Sequence, residues 1–287
     1  MATKKKKLSL KTLSQGRPPT SRKPKSISRK ATRTLINSVH QLEKKKSQAA
    51  ARGDKAAEST LNAEILALGG IEKYQQMSLQ GQSGDRGGDS SRMLLEWLKP
   101  EFSASNIKPD RSLQMLEVGA LSTSNICSTC GFFDVQRIDL NSQSEAILQQ
   151  DFMQRPLPTH DTELFDIISL SLVLNFVPDA RTRGDMLLRT LEFLKEPDAA
   201  QQSRVFPSLF LVLPARCVTN SRYTDEPLLD RIMTSIGYTK AHFKLTQKLV
   251  YYLWVRTSGT LSHVPWFNKT EIRTGPTRNN FSIIVRR

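Results

Sequence analysis

At 287 residues with 38% hydrophobic content, the chain is long enough to bury one sizeable core with a small appendage. No apolar run approaches the roughly 18–20 residues of a membrane span, and no apolar signal stretch follows Met1, so a soluble protein is expected, with no membrane partner. Three cysteines make no disulfide framework and suit a reducing compartment.

The formal charge of +15 is concentrated at one end. Residues 1–50 hold fifteen of the 42 Lys and Arg and one acid, Glu43, which leaves 27 basic against 26 acidic residues in the remainder. A basic arm on a nearly neutral body attracts polyanions by counterion release, without reading sequence. Residues 1–33 are too poor in apolar side chains to offset chain entropy, so a disordered arm is expected there. Lys4 to Lys7 and Ser21-Arg22-Lys23-Pro24-Lys25 look like nuclear import signals.

A helical segment is predicted over 34–110. Leu35, Val39 and Leu42 fall at helical spacing, Gly53-Asp54 interrupts, and a second run from Ala56 to Leu68 stops at Gly69-Gly70. Residues 71–80 read as a third short helix. Four glycines between 81 and 88 read as a loop, Asp89 or Ser90 can cap a helix from Arg92 to Leu98, and Pro100 is expected to end it.

Residues 111–287 read as one α/β domain. Strands are predicted at Leu113–Val118, Val135–Leu140, Phe165–Leu170 and Leu209–Leu213, with helices near 123–130, 143–149, 181–195 and 226–236. Such alternation implies a parallel sheet with right-handed crossovers. Leu249–Val255 and Phe281–Val285 have no helix between them and are expected to pair antiparallel at the sheet edge. The polar connector between them holds Trp266, Phe267, Lys269, Arg273 and Arg278, a mixture suited to RNA stacking and phosphate contact, or an ordinary edge loop with Trp266 in the core.

The chemistry is expected at the strand ends. The first strand ends in Leu116-Glu117-Val118-Gly119-Ala120, and ligands of open parallel sheets bind beyond such ends. Asp139 ends the second strand, 20 residues after Gly119, where an acid accepts from ribose hydroxyls. The G-x-G-x-x-G of pyrophosphate binders is missing, which favours S-adenosylmethionine (SAM), a cofactor without phosphate, over a dinucleotide. Glu117 is read near the methionine end of SAM or as an acid bonded to a backbone amide. Asp151 is read as an adenine partner or as a surface acid. Asn175 follows the fourth sheet position, where it can hydrogen-bond a base edge or cap the helix after Pro178. Cys127-Ser128-Thr129-Cys130 lacks the further ligands a structural zinc requires, so no metal is expected.

The run GQSGDRGGDSSRMLLEWL, then LEVGALSTSNICS, RIDLNS and FDIISLSLVLNFVPDARTRGDML, resembles the fungal 25S ribosomal RNA adenine-N(1)-methyltransferases of the nucleolus over roughly residues 60–287. The resemblance implies a Rossmann-like class I SAM-methyltransferase sheet, and methylation of one adenine in large-subunit rRNA or a pre-ribosomal particle. It carries SAM contacts onto Gly119 and Asp139. An animal relative of that family is regarded as a SAM sensor, so a catalytically silent SAM-binding sensor or ribosome-assembly factor is the alternative. The sequence departs from the N-P-P-Y/F motif of exocyclic-amine enzymes, reading Leu174-Asn175-Phe176-Val177 instead. Adenine N(1) needs positioning more than a strong base, and Asn175 with the loop Arg86-Gly87-Gly88-Asp89 is expected to border the acceptor pocket.

Overall fold

The computed structural model describes residues 29–81, 88–104, 112–142, 144–197, 205–257 and 265–286. Residues 1–28, most of the expected arm, lie outside the described residues. Three helices come first: α1 (Arg29–Ala51), α2 (Lys55–Ala67) and α3 (Gly70–Gly81). α1 begins ahead of the expected Thr34, and Asp54 caps α2 by accepting from the Ala57 amide at 3.0 Å. Then comes α4 (Ser91–Ala104), followed by β1 (Leu113–Val118), α5 (Ile126–Thr129), β2 (Phe133–Asp139), β3 (Leu148–Gln149) and β4 (Ile167–Ser171). The chain continues through α6 (Ala180–Phe193), β5 (Ser208–Pro214), α7 (Arg216–Thr219), α8 (Glu226–Ser235), β6 (Tyr238–Leu245) and β7 (Leu249–Arg256).

The seven strands form one sheet in the order β3-β2-β1-β4-β5-β7-β6. β1 to β5 are mutually parallel, while β7 runs antiparallel to both β5 and β6. The order reverses at β1, which lies between β2 and β4, and this switch point opens the crevice where such sheets bind ligands. Both faces are buried because alternate residues point to opposite sides. On β5, Leu209, Leu211 and Leu213 face a core that includes Met186, Leu187, Leu229 and Ile232 of α6 and α8. Phe210 and Val212 face the other core, with Leu94 and Leu98 of α4.

Three expectations are corrected by this arrangement. An antiparallel hairpin does end the sheet, but it joins β6 to β7, and Phe281–Val285 is not its partner. Phe281–Val285 instead runs extended over α6, with Phe281, Ile283 and Val285 in the core and one isolated bridge from Val285 to Phe267. In the predicted helix 143–149 the described residues 144–149 form none: the Ser142 hydroxyl donates to Ser144 O and Ile147 O, capturing the backbone groups a helix needs, and Leu148–Gln149 pair with Ile138–Asp139. Pro100 lies inside α4 without ending it. The turn it weakens is held by Phe102, whose ring stacks on Phe132 with centroids 4.2 Å apart.

Candidate functional site

At the end of β1 the chain turns at Gly119, with φ +74°. The Gly119 and Ala120 amides both donate to Ile138 O of β2, at 2.8 and 3.1 Å. A Cβ on Gly119 would lie 2.6 Å from Val173 Cγ2, so glycine is required by conformation and by space. That close approach also seats the loop after β4 directly against the β1 turn.

Glu117 projects from the same strand end. Asn125 Nδ2 donates to both of its carboxylate oxygens, at 2.8 and 2.9 Å, while Asn125 Oδ1 accepts from the Ser128 amide and hydroxyl. Burial pushes the Glu117 carboxyl up to about 7. The Asn125 bond and the Arg137 charge pull it back, and Asp89 adds to the rise. Glu117 therefore bonds a side-chain amide, not the backbone amide entertained from sequence.

Asp139 sits at the end of β2, beside this turn. Its Oδ1 accepts from the Asn141 amide at 2.8 Å and from Gln75 Nε2 at 3.0 Å, leaving Oδ2 without a partner among the described residues. Burial raises its pKa, opposed by those two bonds. Gln75 belongs to α3 and also donates to Asn141 O at 2.7 Å, so the amino-terminal helices dock on the sheet at the carboxylate itself. Gln75 is buried, and its Oε1 has no hydrogen-bond partner among the described residues. No sequence signal marked it. Asp151 follows β3, one residue beyond Gln150, whose amide donates to Asp139 O. One Asp151 oxygen accepts from the Met153 amide at 2.8 Å and caps the 3-10 turn Phe152–Gln154.

The loop after β4 forms the opposite wall. Leu172 adopts φ +60°, a costly conformation for a branched side chain, and its amide donates to Val212 O. Residues 174–176 form a turn closed by the Phe176 amide on Val173 O. Leu174 is buried in the core and Phe176 is partly exposed. Asn175 Oδ1 is buried without a hydrogen-bond partner among the described residues, an arrangement that costs about 1–3 kcal/mol until something donates to it. Asn175 does not cap the following helix; Asp179 does, accepting from the Arg181 and Thr182 amides.

Past the glycine-rich stretch, Asp89 and Ser90 lie beside the same strand ends. Arg86 and Gly87 lie outside the described residues, but Asp89 Oδ1 accepts from Ser91 and Oδ2 from the Ile126 amide at 2.6 Å. The Ser90 and Ser171 hydroxyls are 2.8 Å apart. Gly119, Glu117, Asp139 and Asn175 thus come together at the switch point, with Asp151 at its β3 side. Burial raises the Cys127 thiol and holds it protonated, and no metal-ligating cluster occurs among the described residues. Trp266 is 65% exposed, outside the core, while Phe267 packs against it.

A family profile described as Bmt2, 25S rRNA (adenine(2142)-N(1))-methyltransferase, matches residues 59–283. The 25S rRNA adenine-N(1) methyltransferase of Schizosaccharomyces pombe is 42% identical over 253 residues, covering 87% of this chain and 89% of that protein. The 25S rRNA (adenine(2142)-N(1))-methyltransferase of Saccharomyces cerevisiae is 38% identical over 252 residues, covering 86% and 70%. Among solved structures, the N-methyltransferase NodS of Bradyrhizobium japonicum WM9 is similar at a TM-score of 0.41 and 13% identity, over 64% of this chain and 99% of that one. That likeness is too slight to add to what the strand order says by itself.

Proposed function

Because the chain belongs to the family of 25S rRNA (adenine-N(1))-methyltransferases, we propose that its switch-point crevice binds SAM against Asp139 and presents an adenine of large-subunit rRNA at Asn175. The enzyme is a SAM-dependent rRNA adenine-N(1)-methyltransferase. The observation that carries the site assignment is a pair of acceptors without partners among the described residues: one oxygen of Asp139 at the end of β2 and the buried carbonyl of Asn175 in the loop after β4.

The residues fit the cofactor. Asp139 Oδ2 would accept from the ribose hydroxyls, with Oδ1 anchored by Asn141 and Gln75. Gly119 supplies a turn without a Cβ, against which an adenosyl group can lie. Glu117, oriented by Asn125, offers negative charge to the cationic methionine end, and Asp151 offers its second oxygen to the adenine amino group. Bound there, SAM supplies an electrophilic methyl group on a cationic sulfur.

The chain's own part in the reaction is positioning. Adenine N(1) carries an in-plane lone pair and is unprotonated near neutral pH, so no strong base is required. Asn175 Oδ1 accepts from the exocyclic amino group next to N(1), which turns that edge of a flipped-out base toward the methyl. The same carbonyl dipole faces the positive charge that the base acquires. Leu172 and the Gly119–Val173 contact hold the turn that carries it.

Asn175→Ala should lower turnover about tenfold or more, the loss of one hydrogen bond, while SAM affinity by calorimetry stays within about twofold. Wild-type turnover would remove Asn175 from this role. Asp139→Ala should weaken SAM binding about a hundredfold or more, since two charge-assisted bonds are lost. Mass-spectrometric mapping of large-subunit rRNA from cells lacking the protein checks the activity itself. Loss of one adenine methyl mark is the expected result; an unchanged map would favour a silent SAM-binding factor. Target, arm and import-like signals together support a nucleolar protein acting on a pre-ribosomal particle, before the base edge is sealed in structure. A basic arm ahead of α1 at Arg29, the amino-terminal helices up to residue 110 in place of the expected 34–110, and the catalytic domain at 111–287 are the proposed division of labour.

A further inference from the structure

The carboxy-terminal strap, residues 265–286, is tied to the acceptor loop by a buried arginine. Arg183 Nη1 donates to Ser282 O at 2.6 Å and its Nε to Val177 O at 2.8 Å, while the Ile284 amide donates to Ala180 O. The outer surface of the strap is locally basic on a nearly neutral body. Lys269, Arg273, Arg278 and Arg286 stand against the single acid Glu271. Arg273 is committed, pairing with Asp225 at 3.4 Å. The others are not: Lys269, Arg278 and Arg286, with Arg222 beside them, have no carboxylate partner among the described residues. Arg222 meets only neutral acceptors, Asn280 Oδ1 and Gly275 O, both at 2.8 Å, and so keeps its charge uncompensated. Arg286 is held by Asn268 and lies 5.9 Å from the centre of the exposed Trp266 ring.

We infer that the strap is a docking track for single-stranded rRNA leading into the acceptor loop, with Trp266 as a stacking platform and Lys269, Arg222, Arg278 and Arg286 as phosphate contacts. A wide ring with a guanidinium beside it is the combination that holds an unpaired base and its phosphate together. The loop that positions Asn175 is bonded to the strap, so a strand lying there is delivered to the reacting edge. Of the residues expected from sequence to meet RNA, Phe267 and Arg273 are removed by their packing and pairing. This assignment rests on the methyltransferase reading of the site.

The test uses the full chain and a single-stranded fragment of large-subunit rRNA spanning the target adenine, followed by fluorescence anisotropy across a salt series. Trp266→Ala should weaken binding about tenfold and leave the salt slope unchanged. Lys269→Glu with Arg278→Glu should lower the slope by about 0.7 for each phosphate no longer neutralised and raise KM, with kcat within about twofold. SAM affinity should be that of the wild type in both, which also reports that they are folded. Wild-type RNA affinity and slope in both variants would overturn the proposal. So would loss of methylation in cells with RNA binding intact, which would mark a protein-docking surface. Failure of the wild-type chain to methylate the fragment would count against the catalytic reading instead, since the binding measurements do not depend on turnover.

Discussion

Glu117 holds two opposed demands in one side chain. Burial raises its pKa from 4.5 to about 7, so the folded chain holds a proton that the unfolded chain releases. The sign follows from linkage: the stability this gives is complete below pH 4.5 and is lost as pH rises through 7. The groups facing it are Asn125 and Arg137, which favour the carboxylate, and Asp89, which opposes it. Glu117→Gln should therefore be more stable than wild type at pH 8 and not at pH 4, by on the order of 3 kcal/mol at most, seen as a higher melting temperature at the higher pH only. SAM affinity should move the other way, rising with pH through 7 in the wild type and flat in the variant. A pH series of thermal melts with parallel calorimetry reads both. At this scale the sequence was informative where spacing carries meaning. Gly119 and Asp139 stand at the ends of consecutive strands, so their meeting was legible. Gln75 was not, because a glutamine on a helix 64 residues before its partner has no local signature.

Elements were legible where apolar runs met regular spacing, and misread where burial was taken for pairing. Phe281–Val285 is as apolar as an inner strand, and it is buried, but beneath it lies α6 and not a neighbouring strand. β6 passed unseen because only Tyr238 among its eight residues is buried and the exposed ones include Thr239 and Lys244, as suits an edge that must not recruit another chain. The register of strap on helix depends on Gly184. A Cβ there would overlap Ile284 O and lie 2.8 Å from its carbonyl carbon. Alanine ordinarily improves a helix interior over glycine. Here Gly184→Ala should destabilise the fold by about 1–3 kcal/mol, seen as a lower melting temperature, because the strap has no side-chain slack to give. Turnover should fall with it through Arg183, whose bonds join strap and acceptor loop.

Along the sequence, the densest run of positive charge and the carboxylates of the crevice are kept apart. The carboxylates of the crevice belong to the β-sheet domain, while fifteen of the 42 cations lie in the first fifty residues. The two meet through α3, since Gln75 shares one carboxylate oxygen of Asp139 with the Asn141 amide. A hydrogen bond that belongs to both a helix and a ligand site makes them thermodynamic partners, and such coupling is reciprocal. Whatever SAM does to the seating of α3, the seating of α3 must do to SAM by the same factor. RNA that shifted the seating of α3 would by the same linkage change the affinity for the methyl donor without touching it. Gln75→Ala should shrink that cross-talk, measured as the ratio of SAM affinities with and without the rRNA fragment, toward one. A ratio unchanged from wild type would mean that arm and crevice are neighbours without influence.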